Sequence, residues 1–430
     1  MRRPGVLTGS LEAKLNVARD YAKLLGGSGG RLVLSLAYFT AVANVLSVSE
    51  FGLFATASAT GIVLSRIAGL GFVSPLYRSA TRKPHLIGTY TAGLLAAFVA
   101  SLPLVALGGL LFFLGVFAGD MAPGPFAAIV AAEVVCWRAL EVVCIVNNGM
   151  NRFGRASVLV VAGTGAKAAA ALLFAASAGR DGGLAVWSLF YLAANGTAAL
   201  GGILFLYPRQ RLRWRPDLYR RRAADSLAVA GAEVLFYLQS ELDKLLVLSL
   251  GGPHVAGLYA MLMRLVDLTA LPVRSFNMMV VQTLMRQPDR LDSWRVRWGV
   301  EAGIALVSAG GLAALGLVLH IRPTLLGTNV ADAAPLVLMA LLVPAFRNLV
   351  EYQGELLYAR GRTGVRATIL AFLTLMKGGL LTLVLGGGQA SGDTQWVLGL
   401  NGVFAALWLA SAMATYMALD MRRAPIARPA

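Results

Sequence analysis

Eight bases and nine acids lie inside long apolar runs of this 430-residue chain. The bases are Arg66, Arg138, Lys167, Lys244, Arg264, Arg274, Arg347 and Lys377, and the acids are Glu133, Glu141, Glu233, Glu241, Asp243, Asp267, Glu301, Glu351 and Glu355. A charge at the centre of a membrane helix costs about 2.5–3.5 kcal/mol, so such groups face an aqueous cavity, a partner or a ligand. Seventeen of them exceed what a dry bundle holds, and a polar path through the protein is the simplest account.

Spacing sorts them further. Arg138 with Glu141, Glu241 with Lys244 and Arg264 with Asp267 are i,i+3 pairs, and Arg347 with Glu351 is i,i+4, so each can be neutralised along one helix face. Arg66, Lys167, Lys377 and Arg274 have no carboxylate at those spacings. The first three sit near the middle of their runs, so another helix or a ligand must answer them. Unanswered cations at membrane depth predict an anionic ligand, for which a phosphate or pyrophosphate group fits. Glu133, Glu233, Asp243 or Asp267 could couple transport to H⁺ or Na⁺, although spacing alone does not separate a coupling site from a salt bridge.

Other chemistries are poorly served. Cys136 and Cys144, eight residues apart on one helix, stand roughly 12 Å apart along its axis, too far for a disulfide. No Cys/His cluster has metal-ligand spacing, and His85, His254 and His320 are scattered in or beside loops. Residues 158–168, VLVVAGTGAKA, imitate a dinucleotide-binding glycine pattern, but the run continues as AAALLFAA instead of a soluble βαβ unit. Small residues that let helices pack closely explain it better.

The elements that must position these charges are membrane helices. The chain is 57% hydrophobic and 14% charged with a mean hydropathy of +0.70, which excludes a soluble enzyme. Twelve spans are expected, near 32–48, 51–76, 86–117, 125–147, 157–178, 184–207, 226–250, 256–284, 298–320, 334–357, 366–388 and 395–419. Pro103 lies inside the third, which is long enough to hide a break. The net charge of +17 does not indicate nucleic acid, because the cations cluster between spans instead of forming one basic face. With a cytoplasmic N-terminus, 28 cations fall on the inner side and only Arg180 and Arg322 on the outer, a strong positive-inside signal that makes both termini cytoplasmic.

The expected organisation follows. Residues 1–31 form a cytoplasmic tail with no cleavable leader, carrying an interfacial amphipathic helix at 11–25. Residues 32–207 form one six-helix lobe, 208–225 a basic linker, 226–419 a second six-helix lobe, and 420–430 a tail. The fold class is thus an all-α integral membrane protein with two lobes around a central cavity. Gly52-Leu53-Phe54-Ala55 and Gly257-Leu258-Tyr259-Ala260 open the second span of each half, and Gly-Arg pairs at 154–155 and 361–362 precede the fifth spans, which carry Lys167 and Lys377. These echoes suggest parallel repeats.

Three stretches resemble the polysaccharide-exporter branch of the multidrug/oligosaccharidyl-lipid/polysaccharide superfamily, the Wzx-type lipid-linked oligosaccharide flippases. They are LSVSEFGLFATASATGIVLSRIAGLGFVSPLYR at 46–78, SELDKLLVLSLGGPHVAGLYAMLMRLVDLTALPVRSF at 240–276, and LLGTNVADAAPLVLMALLVPAFRNLVEYQGELLYARGR at 325–362. The middle stretch is the most specific. The resemblance implies alternating access that moves a polyprenyl-pyrophosphate-linked glycan between leaflets of a bacterial inner membrane. It also implies a cationic cavity for the pyrophosphate, no cofactor, and partners among membrane lipid, the polysaccharide polymerase and other glycan-assembly proteins. Within the matched stretches it points to Arg66, Asp243, Lys244, Arg264 and Arg274. Two further C-terminal helices, expected of the peptidoglycan-lipid flippase of that superfamily, are missing.

Three readings compete with this one. A drug/cation antiporter of the same fold would show an acidic cavity with few unanswered cations. A membrane glycosyltransferase or ligase is disfavoured by the short outer loops, and a non-transporting scaffold leaves the mid-span cations without a purpose.

Overall fold

A computed structural model of the chain describes residues 30–177, 182–286, 294–386 and 394–420, which are helices joined by short turns with no strand among them. The amphipathic segment at 11–25 and the tail after 420 lie outside the described residues. In order, the helices are α1 (Gly30–Val45), α2 (Val48–Ile67), α3 (Val73–Arg82), α4 (Ile87–Phe112), α5 (Pro123–Ala131), α6 (Arg138–Gly149), α7 (Phe153–Ser177) and α8 (Gly183–Gly201). They continue as α9 (Pro216–Arg286), α10 (Trp294–Ile321), α11 (Thr328–Ala331), α12 (Ala334–Met339), α13 (Val343–Ala359), α14 (Thr363–Gly386) and α15 (Gln395–Asp420).

All twelve expected spans are present as helical segments. Eight described helices are long and apolar enough to cross a membrane. One of these, in α9, holds two spans, because Gly252 (φ 77°) breaks it into arms at 216–251 and 253–286. Another span is α1, shorter than a full crossing. α5 and α6 make one more, joined through a π-helical turn at Ala132–Trp137. The last is a bent pair: the run read as one helix over 334–357 breaks at 340–342, and α11–α12 meet α13 at 72°.

Helix ends follow local chemistry. α2 starts at a capping box in which the Ser47 hydroxyl accepts from the Glu50 amide while the Glu50 carboxylate accepts from Ser47. It ends at Ile67, well before the expected 76, because Gly69, Leu70 and Gly71 all take positive φ (80°, 47° and 71°) and turn the chain into α3. α4, by contrast, runs unbroken through Pro103 and loosens only in a π-helical turn at Phe113–Phe117. Cys136 and Cys144 are free thiols.

The halves touch where their second spans begin. A Cβ on Gly52 would lie 2.4 Å from the Gly257 amide, and one on Gly257 would lie 1.9 Å from the Val48 carbonyl, so only glycine permits this contact. Beside it, Asn44 Nδ2 donates to the Leu326 carbonyl at 2.7 Å, and Asn329 Nδ2 donates to the carbonyls of Ala43 (3.0 Å) and Leu46 (2.8 Å). These bonds join the two halves at the end opposite the basic loops.

Candidate functional site

Most of the intramembrane charges collect into three groups, while Glu301 stands apart and accepts from Gln353 and Tyr416. The first bridges the two halves. Arg66 Nη1 donates to both oxygens of Glu141 at 2.8 Å, and Arg138 donates through Nη1 to Glu141 (2.8 Å) and through Nη2 to Glu233 (3.1 Å). The Arg66 guanidinium also lies 4.0 Å from the centre of the Tyr237 ring. Glu233 and Tyr237 are one turn apart on the first arm of α9, so the second half supplies both a charge and a π face to the first.

The second group centres on Glu133, buried in the π-helical turn between α5 and α6. Such turns widen a helix locally and recur at functional positions. Ser58 Oγ donates to Glu133 Oε1 at 2.6 Å and the Tyr191 hydroxyl donates to the same oxygen. Lys167 Nζ donates to the Tyr191 oxygen at 3.4 Å and sits 4.1 Å from the Trp137 ring centre. Gly61 makes the room, since a Cβ there would lie 2.8 Å from Glu133 Cβ.

The third group lies in the second half. Lys377 Nζ is 3.1 Å from Asp243 Oδ2 and donates to the Gln239 carbonyl at 2.9 Å, while the Tyr259 hydroxyl donates to Asp243 Oδ2 at 2.5 Å. Lys244 pairs with Glu241, Arg347 with Asp267 (3.1 Å) and Arg366 with Glu355 (3.0 Å). A cavity of about 390 Å³ opens among them, walled by Glu241, Asp267, Glu351, Arg347, Arg366 and Lys377 together with Phe236, Tyr237 and Phe404.

These positions revise the sequence reading at several points. Arg66 is not near mid-helix but in the last turn of α2, because the glycine turn ends that helix early. Arg66 and Lys377 are not left for a ligand to neutralise: Glu141 and Asp243, on other helices, do so, and counting i±3 and i±4 neighbours sees one helix only. Among the described residues Lys167 makes no ion pair within 4 Å; it leans on Tyr191 and Trp137, with Glu133 one hydrogen bond further on. Arg138–Glu141 and Glu241–Lys244 form as expected. Asp267, expected opposite Arg264, faces Arg347 of α13, whose expected partner was Glu351, and Arg264 reaches Ser35 of α1. The side chain of Arg274 lies outside the described residues.

The neutral partners Ser58, Tyr191, Tyr237, Gln239 and Tyr259 escaped the sequence reading. For the others the available signal was a hydroxyl on an otherwise apolar run, and Tyr259 stood inside the repeat motif itself, but Gln239 acts through its main-chain carbonyl, which no side chain announces. Among the described residues no group of three or more His, Cys, Asp or Glu is placed to hold a metal ion.

No family model and no curated protein matches the chain. Solved structures do. An inward-facing multidrug resistance MATE family transporter of the MOP superfamily superposes with a TM-score of 0.64 over 92% of this chain and 96% of that one, at 15% identity. The lipid II flippase MurJ, in an inward closed conformation, gives 0.62 over 91% and 86% at 10% identity. A MOP superfamily transporter from Pyrococcus furiosus, described as having a binding pocket of reversed polarity, gives 0.57 over 92% and 94% at 14% identity. The chain has the twelve-helix fold of these transporters. At such identities the likeness concerns the fold, and the charges just described belong to this chain.

Proposed function

We propose that the chain is an alternating-access transporter in a bacterial inner membrane, with both termini cytoplasmic, that carries a polyprenyl-pyrophosphate-linked oligosaccharide to the outer leaflet for surface polysaccharide synthesis. The observation that carries this reading is a polar, charge-lined cavity set toward the basic end, with the halves in close contact at the other. The basic loops mark that end as cytoplasmic, so the cavity receives cargo from the side where lipid-linked sugars are assembled. Arg347 and Arg366 supply donors for a pyrophosphate, aromatic walls supply faces for sugars, and the lipid chain stays in the bilayer. The Glu133 group, closed off by Ser58 and Tyr191, is the proposed proton site that drives the cycle.

A second reading has an observation of its own. Glu241, Asp267 and Glu351 balance the three cations of the cavity, so its wall also suits a cationic cargo exported in exchange for an ion.

One experiment separates them. In a strain lacking the gene, lipid-linked glycan is followed in each leaflet after return of the wild type or of the Arg347→Ala and Arg366→Ala variants. Glycan trapped on the cytoplasmic side, released by the wild type and not by well-expressed variants, is the expected outcome. Normal surface polysaccharide with altered drug sensitivity would overturn it in favour of the antiporter.

A further inference from the structure

A second and larger cavity, about 550 Å³, lies in the first half and has no part in the transport reading. Its walls come from α4 (Leu94, Leu95, Phe98), α6 (Ala139, Val142) and the end of the span that begins with α8 (Ile203, Leu204). They are almost wholly apolar. Its floor is the first stretch of the basic linker, fastened under α4: Gln210 Oε1 accepts from the Gly88 amide at 3.0 Å and Gln210 Nε2 donates to the Pro84 carbonyl at 2.8 Å. A Cβ on Gly88 would lie 2.3 Å from the Arg211 carbonyl, so the linker is seated there by close backbone approach.

Two observations name the occupant. The polar groups in its lining are Thr91, Tyr207, Gln210, Arg138 and Arg209. Arg209, exposed at the mouth, donates through Nη2 to the Leu204 carbonyl at 3.2 Å and heads a linker with seven arginines between 209 and 222. Deeper in, Arg138 lines the wall, and its Nε is buried without a hydrogen-bond partner although both Nη atoms are engaged. Counted from the start of α5, Arg138 lies roughly 22 Å along a span that crosses a hydrocarbon core of about 30 Å, which sets it in the third nearest the basic end. An amphiphile with an anionic head at the interface, an apolar chain and ester oxygens just below the head matches this sequence of environments.

We propose that this cavity is a binding site for an anionic phospholipid of the cytoplasmic leaflet. Its phosphate meets Arg209 and the linker arginines, an ester carbonyl accepts from Arg138 Nε, and one acyl chain fills the apolar chamber. The lipid would then tie the linker, which joins the two halves, to the first of them.

The probe is phosphatidylglycerol carrying a diazirine at mid-chain, reconstituted with the full chain in phosphatidylcholine vesicles, photolysed and mapped by mass spectrometry. Adducts are expected within 91–98, 135–143 and 203–204, competed by unlabelled phosphatidylglycerol and not by phosphatidylcholine. Ala139→Trp, which fills the chamber, and Arg209→Glu, which reverses the mouth, are each expected to cut labelling there about tenfold, the equivalent of 1.4 kcal/mol. Both variants are scored only after they elute and melt as the parent does, and labelling of the lipid-facing stretch 158–173 serves as the internal reference. Adducts spread evenly over that stretch, equal competition by phosphatidylcholine, or stronger competition by undecaprenyl phosphate would each overturn the assignment, the last by handing the chamber to the cargo's chain.

Discussion

Lys377→Met tests whether a deeply buried cation is a structural partner or a ligand hook. Asp243 and Lys377 are each 3% exposed or less, and 3.1 Å separates their charged atoms. Removing one partner of such a pair strands the other and costs about 3–5 kcal/mol. Part of the loss is independent of the pair, because the Gln239 main-chain carbonyl loses a second donor beside its helix bond, at about 0.5–1.5 kcal/mol. Asp243→Asn with Lys377→Met leaves no charge, and Tyr259 can still donate to the asparagine oxygen. The double variant should therefore recover about 2 kcal/mol or more of the single variant's loss, since no unpaired buried charge is left. Equilibrium unfolding in mixed micelles, run on wild type, both single variants and the double, measures the coupling. Salt should leave it unchanged, as the pair is shielded from solvent. A double variant as unstable as Lys377→Met, or a coupling under about 0.5 kcal/mol, the scatter expected of independent sites, would refute the reasoning. A stable double variant that transports normally would further show that neither charge touches cargo.

Tyr259→Phe removes one donor to the Asp243 carboxylate and should cost about 1.5–3 kcal/mol in the same assay. Gly257→Ala drives a methyl group against the Val48 carbonyl. In a background free of Cys136 and Cys144 it should raise labelling of Ser47→Cys by an impermeant maleimide about tenfold, the equivalent of 1.4 kcal/mol; unchanged labelling would mean that the far end is held by something else. Glu133→Gln keeps an acceptor for Ser58 and Tyr191 but loses the proton site. Transport by this variant in vesicles is expected to become indifferent to an imposed pH gradient, and a preserved gradient dependence would remove Glu133 from the coupling role.

How much of this was legible beforehand depended on the range of the signal. Span length and the placing of cations are properties of contiguous sequence, and they located all twelve membrane segments. The end of α2 was hidden because the turn at Gly69-Leu70-Gly71 is as apolar as the helix it ends, so hydropathy runs straight through it. The third run, which counts as one span because no polar turn splits it, is indeed one continuous helix through Pro103. The pairings Arg66–Glu141 and Lys377–Asp243 join residues 75 and 134 positions apart, and no periodicity reports on such distances. Tyr191 and Tyr259 went unseen because a hydroxyl in an apolar run resembles an ordinary aromatic core residue until its carboxylate is placed beside it.

The meeting of Gly52 with Gly257 has a meaning beyond contact. When the same position of two repeats touches its own counterpart, the contact lies on their symmetry axis, as in an isologous homodimer. In two separate identical chains, any substitution at such a point is imposed on both sides at once. A fused chain escapes that constraint: one glycine can be held while its counterpart varies, and one half can specialise in Glu133 chemistry while the other keeps the Asp243–Lys377 pair. Covalent joining of the halves thus makes room for a division of labour that a symmetric dimer could not adopt.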